Sequence, residues 1–315
     1  MSASLTIVMY HYVRPLQESH FPDLKALDLT RFCGQLDFIQ HHYQVVTMEQ
    51  VIAATRGELM LPERSLLLTF DDGYRDHYEY VLPLLIAREI QGSFFPPACS
   101  VRDRRVLDVN KIHFILASVK DSSLLVAELF AMIEEHRTEY NLRSNEEYFL
   151  AYSGGSRYDT PDVTFIKRLL QKGLPMPLRE KMVNRLFRCF VTEDERGFAE
   201  NLYMSANEIR ELYSAGMAIG SHGDRHLWLN TLSDDDLESE IDASLEFLSK
   251  LGVLTRDWVM CYPYGGYNDA VLAKLRKKDC ALGLTVEVAL ADPAIHDPLC
   301  LPRLDTNDLP PNSKY

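Results

Sequence analysis

Two adjacent aspartates, Asp71 and Asp72, stand at the end of an apolar run in the segment LLLTFDDGYRD. Side chains alternate between the two faces of a strand, so neighbouring acids at a strand end point in different directions and can serve different tasks. A strand followed by an ordinary Asp-Gly turn has the same residues. This segment by itself therefore leaves a structural and a catalytic interpretation open.

Two histidines, His222 and His226, lie four residues apart in IGSHGDRHLWLN, just after another strand-like run. This spacing lets two imidazoles converge on one metal ion, although two solvated histidines would show the same spacing. Because the carboxyl ends of parallel strands meet at one rim of an α/β sheet or barrel, we expect Asp72 to lie near both histidines. Two imidazoles and one carboxylate form a three-ligand zinc site with an open position for water.

A third segment, VMCYPYGGYND, places Tyr262, Pro263, Tyr264 and two glycines directly after an apolar run. Proline and paired glycines favour a sharp loop. Such a loop can present a backbone N–H as an oxyanion donor. Taken alone, this segment indicates only a turn.

A regular framework must position these segments, and strand-length apolar runs recur along the chain. The runs are LTIVMY (5–10), SLLLTF (65–70), GSFFP (92–96), MAIGSH (217–222), DWVMCYP (257–263) and ALGLTV (281–286). Segments with apolar residues at helical spacing separate them, at 30–43, 75–89, 234–250 and 269–278. This alternation predicts an α/β protein with a mostly parallel sheet or a barrel.

Residues from about 101 to 204 interrupt the alternation, because they have the pattern of polar helices without a clear strand. We interpret the whole chain, 1–315, as one domain that carries a helical insertion at about 101–204. The expected role of the insertion is a lid over a ligand or an oligomer contact. An inert bulge is the alternative.

The composition argues against several classes of partner. The chain has 315 residues, 46% of them hydrophobic and 25% charged, as in a soluble globular protein. The formal net charge of −13 argues against nucleic acid and against an anionic membrane surface as partners. No apolar run approaches the ~20 residues that span a bilayer, and the N-terminus has no secretory pattern. With six scattered cysteines and no CxxC, we expect a cytoplasmic protein with free thiols.

The strings TFDDG, SHGDRH and YPYGGYN, in this order, resemble the first three motifs of the polysaccharide deacetylase family, carbohydrate esterase family 4. YHYV and LPRLD resemble its bacterial members, and the resemblance covers residues 5–100 and 205–305 approximately. It implies a distorted, incomplete (β/α) barrel, TIM-like with about seven strands, to which the helical insertion is added. It also implies removal of acyl groups, usually acetyl from N-acetylated sugars, with a divalent metal that is commonly zinc.

The resemblance also implies roles for individual residues. Asp71 would be the general base, and Asp72, His222 and His226 the metal ligands. Tyr264 would donate its backbone N–H to the oxyanion. We also expect the loop tyrosines Tyr262 and Tyr264 to contact the substrate.

Three positions depart from the family pattern. Cys261 stands where the family often has an arginine that braces the catalytic aspartate, and Arg303 in LPRLD is the candidate substitute. For the late histidine that serves as general acid, the candidate is His296 in DPAIHDPLC. His11, in MYHYV after the first strand, either contacts the substrate or packs in the core.

We therefore expect a metal-dependent deacetylase that hydrolyses the N-acetyl, or another N-acyl, group of an amino sugar or glycan precursor. In the cytoplasm its substrate would be a small acylated sugar, either free, nucleotide-linked or lipid-linked. Two alternatives stay open. One is a non-catalytic carbohydrate-binding member of the fold, and the other is a metal-dependent amidohydrolase of a non-sugar amide or formamide.

Overall fold

The structure is a computed structural model that describes residues 4–156 and 159–310. The strands are β1 (Leu5–Tyr10), β2 (Val13–Arg14), β3 (Leu27–Asp28), β4 (Gln44–Val45), β5 (Ser65–Asp71), β6 (Ser93–Phe95), β7 (Ala218–Ile219), β8 (Val259–Cys261), β9 (Leu282–Leu284) and β10 (Leu304–Asp305). The α-helices are α1 (Leu29–His42), α2 (Met48–Thr55), α3 (Leu82–Ala87), α4 (Ala98–Arg102), α5 (Asp108–Ser118), α6 (Ser122–Tyr140), α7 (Asn145–Tyr152), α8 (Pro161–Arg168), α9 (Met176–Phe190), α10 (Glu195–Leu202), α11 (Ala206–Ser214), α12 (Asp234–Leu251) and α13 (Asp269–Lys277).

One compact unit comprises the chain up to Pro15, Ala26–Arg105 and the chain from Ala199 on. Its central sheet has the strand order β10–β1–β5–β6–β7, with β4 beside β5. All of these pairs are parallel, which confirms the predicted α/β fold with a parallel sheet. Helices connect most of the neighbouring strands, as parallel pairing requires.

Strands β8 and β9 continue the parallel pattern outside the central sheet. They pair with each other, and single parallel bridges join Ser221 to Met260 of β8 and Leu284 of β9 to Leu301. Ser221 follows β7 and Leu301 precedes β10, so the bridges lie beside the two edge strands of the central sheet. Closure into a barrel of about seven strands stays a prediction.

The sequence of β5 explains why this strand is buried on both faces. All seven of its residues, SLLLTFD, are buried. Leu66, Leu68 and Phe70 pack into one apolar cluster, whereas Leu67 packs into another with residues of β1. Apolar side chains at consecutive positions of a strand require cover on both sides of the sheet. This cover fixes the register of β5 and the position of Asp71 at its carboxyl end.

Helix α12 shows how local sequence sets the helix boundaries. It begins after Ser233, whose side chain accepts the N–H of Asp236, and it ends at Gly252 with a φ angle of 82°. Acidic residues in its first turn stabilise the positive end of the helix dipole. In the part of the chain that the structure describes, the helices all fall short of the length and apolarity needed to cross a bilayer.

A second compact unit comprises Leu16–Lys25 and Val106–Phe198, and it is mainly helical. Phe21 lies edge-on to Phe114 and Phe198, with ring centroids 4.9 and 5.9 Å apart. The segment near residue 20 thus belongs to this unit, which the sequence patterns did not predict. Its position is set by aromatic packing between segments distant in sequence.

Candidate active site

The turn at the end of β5 separates the two aspartates. Asp71 is the last residue of the strand, and Asp72 and Gly73 follow with φ angles of 70° and 67°. Gly73 is required here, because a Cβ at this position would lie 2.7 Å from the Cβ of Pro96. Left-handed backbone is uncommon for residues with a Cβ, and it is often retained at functional sites. The turn directs the two carboxylates towards different partners.

Asp72 lies against two histidines from the segment after β7. The Nε2 atoms of His222 and His226 are each 3.4 Å from Oδ1 of Asp72. All three residues are buried, and one ligand atom from each lies within 4.8 Å of the others. Ligand atoms 2.0–2.2 Å from a common tetrahedral centre lie about 3.4 Å apart, so this donor set fits a bound Zn²⁺.

Neighbouring groups orient these donor atoms. Nδ1 of His222 donates its proton to the backbone oxygen of Cys261 at 2.7 Å, which turns Nε2 towards Asp72. Tyr74 donates its hydroxyl to Oδ2 of Asp72. Such outer partners typically fix the orientation and basicity of metal-binding side chains.

The buried cluster attracts positive charge. Burial alone would raise the pKa of Asp72, but His222 and His226 hold it well below its usual value. Burial alone would lower the pKa of His222, but Cys261 and Asp72 raise it well above the usual value. Burial and the charge on His222 lower the pKa of His226 to about 3. His226 is therefore neutral at pH 7, while the ionised carboxylate of Asp72 draws positive charge to the cluster.

Asp71 makes a two-pronged ion pair with Arg303. Nη1 and Nη2 of Arg303 donate to Oδ1 and Oδ2 of Asp71 at 2.9 and 2.8 Å. The guanidinium also donates to the backbone oxygen of Thr285 at 2.8 Å and to Oγ1 of Thr69 at 3.1 Å. Burial alone would raise the pKa of Asp71, but Arg303 lowers it to about 2. Asp71 is therefore ionised at neutral pH.

The thiol of Cys261 lies beside this ion pair. Cys261, Asp71 and His222 each place one ligand-type atom within 4.8 Å of the others. Burial raises the pKa of Cys261, so the thiol is protonated and unreactive at neutral pH. The structure thus brings the guanidinium to Asp71 from the segment before β10, while the third motif contributes a small neutral side chain.

His11 follows β1 and reaches the site from the solvent side. Its Nε2 is 4.0 Å from Oδ2 of Asp71, and 39% of its side chain is exposed. Its backbone oxygen accepts a hydrogen bond from Nε2 of His77 at 2.8 Å. Burial lowers the pKa of His77 to about 4, so this ring is neutral at pH 7. His11 thus combines closeness to Asp71 with access to solvent.

Tyr264 occupies the loop after β8 in a left-handed conformation, with a φ angle of 56°. Its ring centroid is 4.6 Å from that of His226 in an edge-on arrangement. The Tyr264 ring also stacks on that of Trp228, with ring centroids 4.7 Å apart and 6° between the ring planes. The loop thus contacts one of the candidate metal ligands, and the oxyanion role of the Tyr264 backbone N–H stays a prediction.

Tyr262 lies in the core instead of at the surface of the site. Its side chain is fully buried, and its hydroxyl donates to the backbone oxygen of Leu299 at 2.8 Å. No part of the side chain is accessible to a ligand. The predicted substrate contact by Tyr262 is therefore wrong, because the side chain packs in an apolar cluster with Met260 and Leu299.

His296 lies near the opposite end of the sheet. Its Nδ1 accepts the N–H of Asp292 at 2.9 Å. Ala291, the residue before Asp292, pairs with Leu5, the first residue of β1. Asp71 is at the far end of the adjacent parallel strand β5. The length of that strand, at 3.3 Å per residue, separates the two ends by roughly 20 Å. The predicted role of His296 as general acid is therefore wrong.

Four residues of this site escaped the sequence patterns: Tyr74, His77, Trp228 and Glu240. Tyr74 and His77 follow the aspartates closely in DDGYRDH, and this closeness was the available signal. Glu240 shares a face of α12 with buried apolar residues such as Leu237. A glutamate at an apolar helix position was the signal there.

Part of the chain that carries this site is similar to a recognised family. Residues 186–283, about a third of the chain, match the family model described as Polysaccharide deacetylase. This match contains His222, His226 and Tyr264, whereas Asp71 and Asp72 lie before it. A 48-residue stretch is 46% identical to the poly-beta-1,6-N-acetyl-D-glucosamine N-deacetylase of Escherichia coli (strain K12). That stretch spans 15% of this chain and 7% of the relative.

Solved structures of deacetylases share the fold along nearly the whole chain. The Streptococcus pyogenes deacetylase PplD, in complex with acetate, superposes with a TM-score of 0.60 at 17% identity, over 99% of this chain and 95% of that one. IcaB from Ammonifex degensii superposes with a TM-score of 0.57 at 18% identity, over 96% and 92%. At such identities the likeness concerns the fold alone. Together with the sequence matches it confirms the resemblance to polysaccharide deacetylases that the motifs predicted.

Proposed function

We propose that the chain is a metal-dependent deacetylase that hydrolyses the N-acetyl group of an amino sugar. One observation carries the proposal. A carboxylate and two imidazoles surround a point that fits a metal ion, and a second, ionised carboxylate stands one residue away. Members of the matched family are hydrolases of non-peptide carbon–nitrogen bonds.

Zn²⁺ is the cation that we propose for Asp72, His222 and His226, and when bound it would lower the pKa of water and polarise the acyl carbonyl. Tyr74 and the backbone oxygen of Cys261 hold two of these ligands in orientation. Asp72, His222 and His226 are buried, whereas His11 is partly exposed. A substrate must therefore approach from the side on which His11 lies.

Asp71 accepts the proton of the attacking water in this proposal. Its low pKa makes it a weak base, so it depends on a water that is already acidified. Arg303 fixes both carboxylate oxygens, so Asp71 has one orientation instead of several. This arrangement favours a precise position of the base over its basicity.

In this proposal His11 replaces His296 as the group that donates a proton to the leaving amine, and the proton that Asp71 took from water passes to His11, 4.0 Å away, for the next turnover. It is near Asp71 and open to solvent, where a leaving sugar amine would depart. The Tyr264 backbone N–H donates to the oxyanion. Loss of one such donor typically raises the barrier by about 2.7–4 kcal/mol.

For the substrate we propose an N-acetylated glucosamine, as a polymer or as a small precursor. The Escherichia coli relative is named for poly-beta-1,6-N-acetyl-D-glucosamine, and this motivates the β-1,6-linked polymer. The small precursor and the cytoplasmic location stay predictions. We also propose that the parallel ladder closes as an incomplete barrel around this site.

Acetate release tests the proposal. Wild-type protein is incubated with β-1,6-linked and β-1,4-linked N-acetylglucosamine oligomers, with the free monosaccharide and with a non-sugar acetamide. We expect release from at least one sugar, loss of release with a chelator and recovery with Zn²⁺. Asp71→Asn should abolish release, whereas the control Asp257→Asn, at an exposed aspartate paired with Arg56, should not.

Two outcomes contradict the proposal. Release from the non-sugar amide alone supports the amidohydrolase alternative. Tight sugar binding without turnover, unchanged by Asp71→Asn, supports a non-catalytic binding protein.

A further inference from the structure

Glu240 of α12 is a buried carboxylate directed at the backbone of the segment between the two histidines. It is 1% exposed. Its Oε1 accepts the backbone N–H groups of Asp224 at 3.0 Å and of Arg225 at 2.6 Å. Its Oε2 accepts Nε of Arg225 at 3.2 Å. One side chain thus satisfies two successive backbone donors of the loop 222–226.

Successive backbone N–H groups that converge form a concave site for an anion, called a nest. In many proteins a phosphate or another ion fills such a nest. Here the Glu240 carboxylate fills it from within the chain. Gly223, with a φ angle of 74°, lets the loop approach closely, because a Cβ there would lie 3.0 Å from Oε1 of Glu240.

The loop needs such support because its conformation is strained. His226 has a φ angle of 58°, a left-handed conformation that persists at a residue with a Cβ only when the surroundings enforce it. Two hydrogen bonds from the start of α4 also support the loop. The N–H of Ala98 donates to the backbone oxygen of Gly223 at 3.2 Å, and the N–H of Cys99 donates to the backbone oxygen of Asp224 at 2.9 Å.

We propose that Glu240 is a positioning residue that holds His222 and His226 at the separation needed for one metal ion. It touches neither the metal position nor the substrate. Without it, the two freed N–H groups would turn towards other acceptors, and His226 would relax from its left-handed conformation. The inference rests on the proposed metal-dependent function and predicts a loss of metal affinity.

Metal affinity is measured by competition with a chromophoric Zn²⁺ chelator, which requires no knowledge of the substrate. Wild-type protein is compared with Glu240→Gln, Glu240→Ala and the control Glu238→Gln. Glu238 lies on the same helix, is exposed and pairs with Lys274 and Lys278. Loss of an outer partner typically weakens metal binding roughly 10–100-fold. We expect that loss for Glu240→Ala, a smaller loss for Glu240→Gln, whose amide oxygen can still accept both N–H groups, and an unchanged affinity for Glu238→Gln.

Thermal unfolding of the metal-free proteins separates positioning from folding. Glu240→Ala that folds like wild type and binds Zn²⁺ with wild-type affinity overturns the inference. If both Glu240 variants fail to fold, Glu240→Asp is measured, which keeps the charge but shortens the reach. A wild-type Zn²⁺ affinity of Glu240→Asp would also overturn the inference. Wild-type protein that binds no Zn²⁺ overturns both proposals, whereas wild-type protein that binds Zn²⁺ tightly without releasing acetate overturns only the proposed function.

Discussion

Arg303 and Asp71 form a buried ion pair across 232 positions of sequence, with both oxygens of the carboxylate engaged. The guanidinium is held in turn by Thr285 and Thr69, so neither partner is free to rotate. The candidate base therefore owes both its charge and its orientation to a residue near the end of the chain. Removal of Arg303 should therefore affect both the stability of the fold and the charge of Asp71.

Arg303→Met should destabilise the fold by about 3–5 kcal/mol, because it leaves an uncompensated carboxylate in the core. Urea unfolding at neutral pH measures this loss. The control Arg56→Met removes an exposed pair with Asp257 and should cost less than about 1 kcal/mol. Equal unfolding midpoints for Arg303→Met and wild type would contradict the assignment.

The same variant should change the pH dependence of both activity and stability. With Arg303 present, the pKa of Asp71 is about 2, below the ordinary 3.8, so the pair stabilises the fold above pH 3.8 and loses this effect as pH falls towards 2. Without Arg303, burial raises the pKa of Asp71. We expect any remaining activity to show an acid limb at higher pH than in wild type.

His11→Ala should lower acetate release from an N-acetyl sugar by about 10²–10⁴-fold, because an amine leaves poorly without a proton donor. An aryl acetate ester has a leaving group that is stable as an anion, so its hydrolysis should fall much less. His41→Ala, at an exposed histidine near the end of α1, is the control. Equal losses on both substrates would assign His11 to substrate binding instead.

His77→Phe should remove part of the acid sensitivity of the fold. Burial lowers the pKa of His77 from 6.5 to about 4, so the folded state binds fewer protons than the unfolded state in this range. The free energy of unfolding is therefore unaffected by protonation of His77 above pH 6.5, and it falls by roughly 3 kcal/mol as the pH drops to 4. Phenylalanine can occupy the site among Phe70, Tyr74 and Phe94, whose rings surround His77.

Urea unfolding between pH 7.5 and pH 4 measures this effect as a difference between wild type and variant. If the free energy of unfolding of His77→Phe depended on pH as steeply as that of wild type, His77 would have to be protonated in the folded protein. His41→Phe, at an exposed position, should keep the wild-type slope.

Short motifs predicted the candidate cluster because strand ends in a parallel sheet meet at one rim. The buried run before Asp71 and the spacing of His222 and His226 carried that inference, and the structure brings these side chains together. The prediction of His296 as general acid was wrong because no local sequence pattern shows at which end of the sheet a loop lies. That position depends on the pairing of Ala291 with Leu5, a contact across most of the chain.

Side-chain direction in irregular loops was equally beyond sequence patterns. Tyr262 and Tyr264 are two residues apart, yet one is buried and the other stacks on Trp228 at the site. The left-handed φ of Tyr264 produces this difference, and non-glycine residues with such angles are rarely foreseen from composition. The contribution of residues 16–25 to the helical unit was likewise set by packing of Phe21.

The distance in sequence between Asp71 and Arg303 has a consequence for synthesis of the protein. At about 5–20 residues per second, the ribosome makes the guanidinium roughly 10–50 s after the carboxylate. During that interval the nascent strand β5 carries a charge that has no counterion to accompany it into an apolar interior. Strands β1, β4 and β5 should therefore become buried only after Arg303 has left the ribosome. On a ribosome stalled before the codon for Arg303, proteases should still cleave the nascent chain near residue 71.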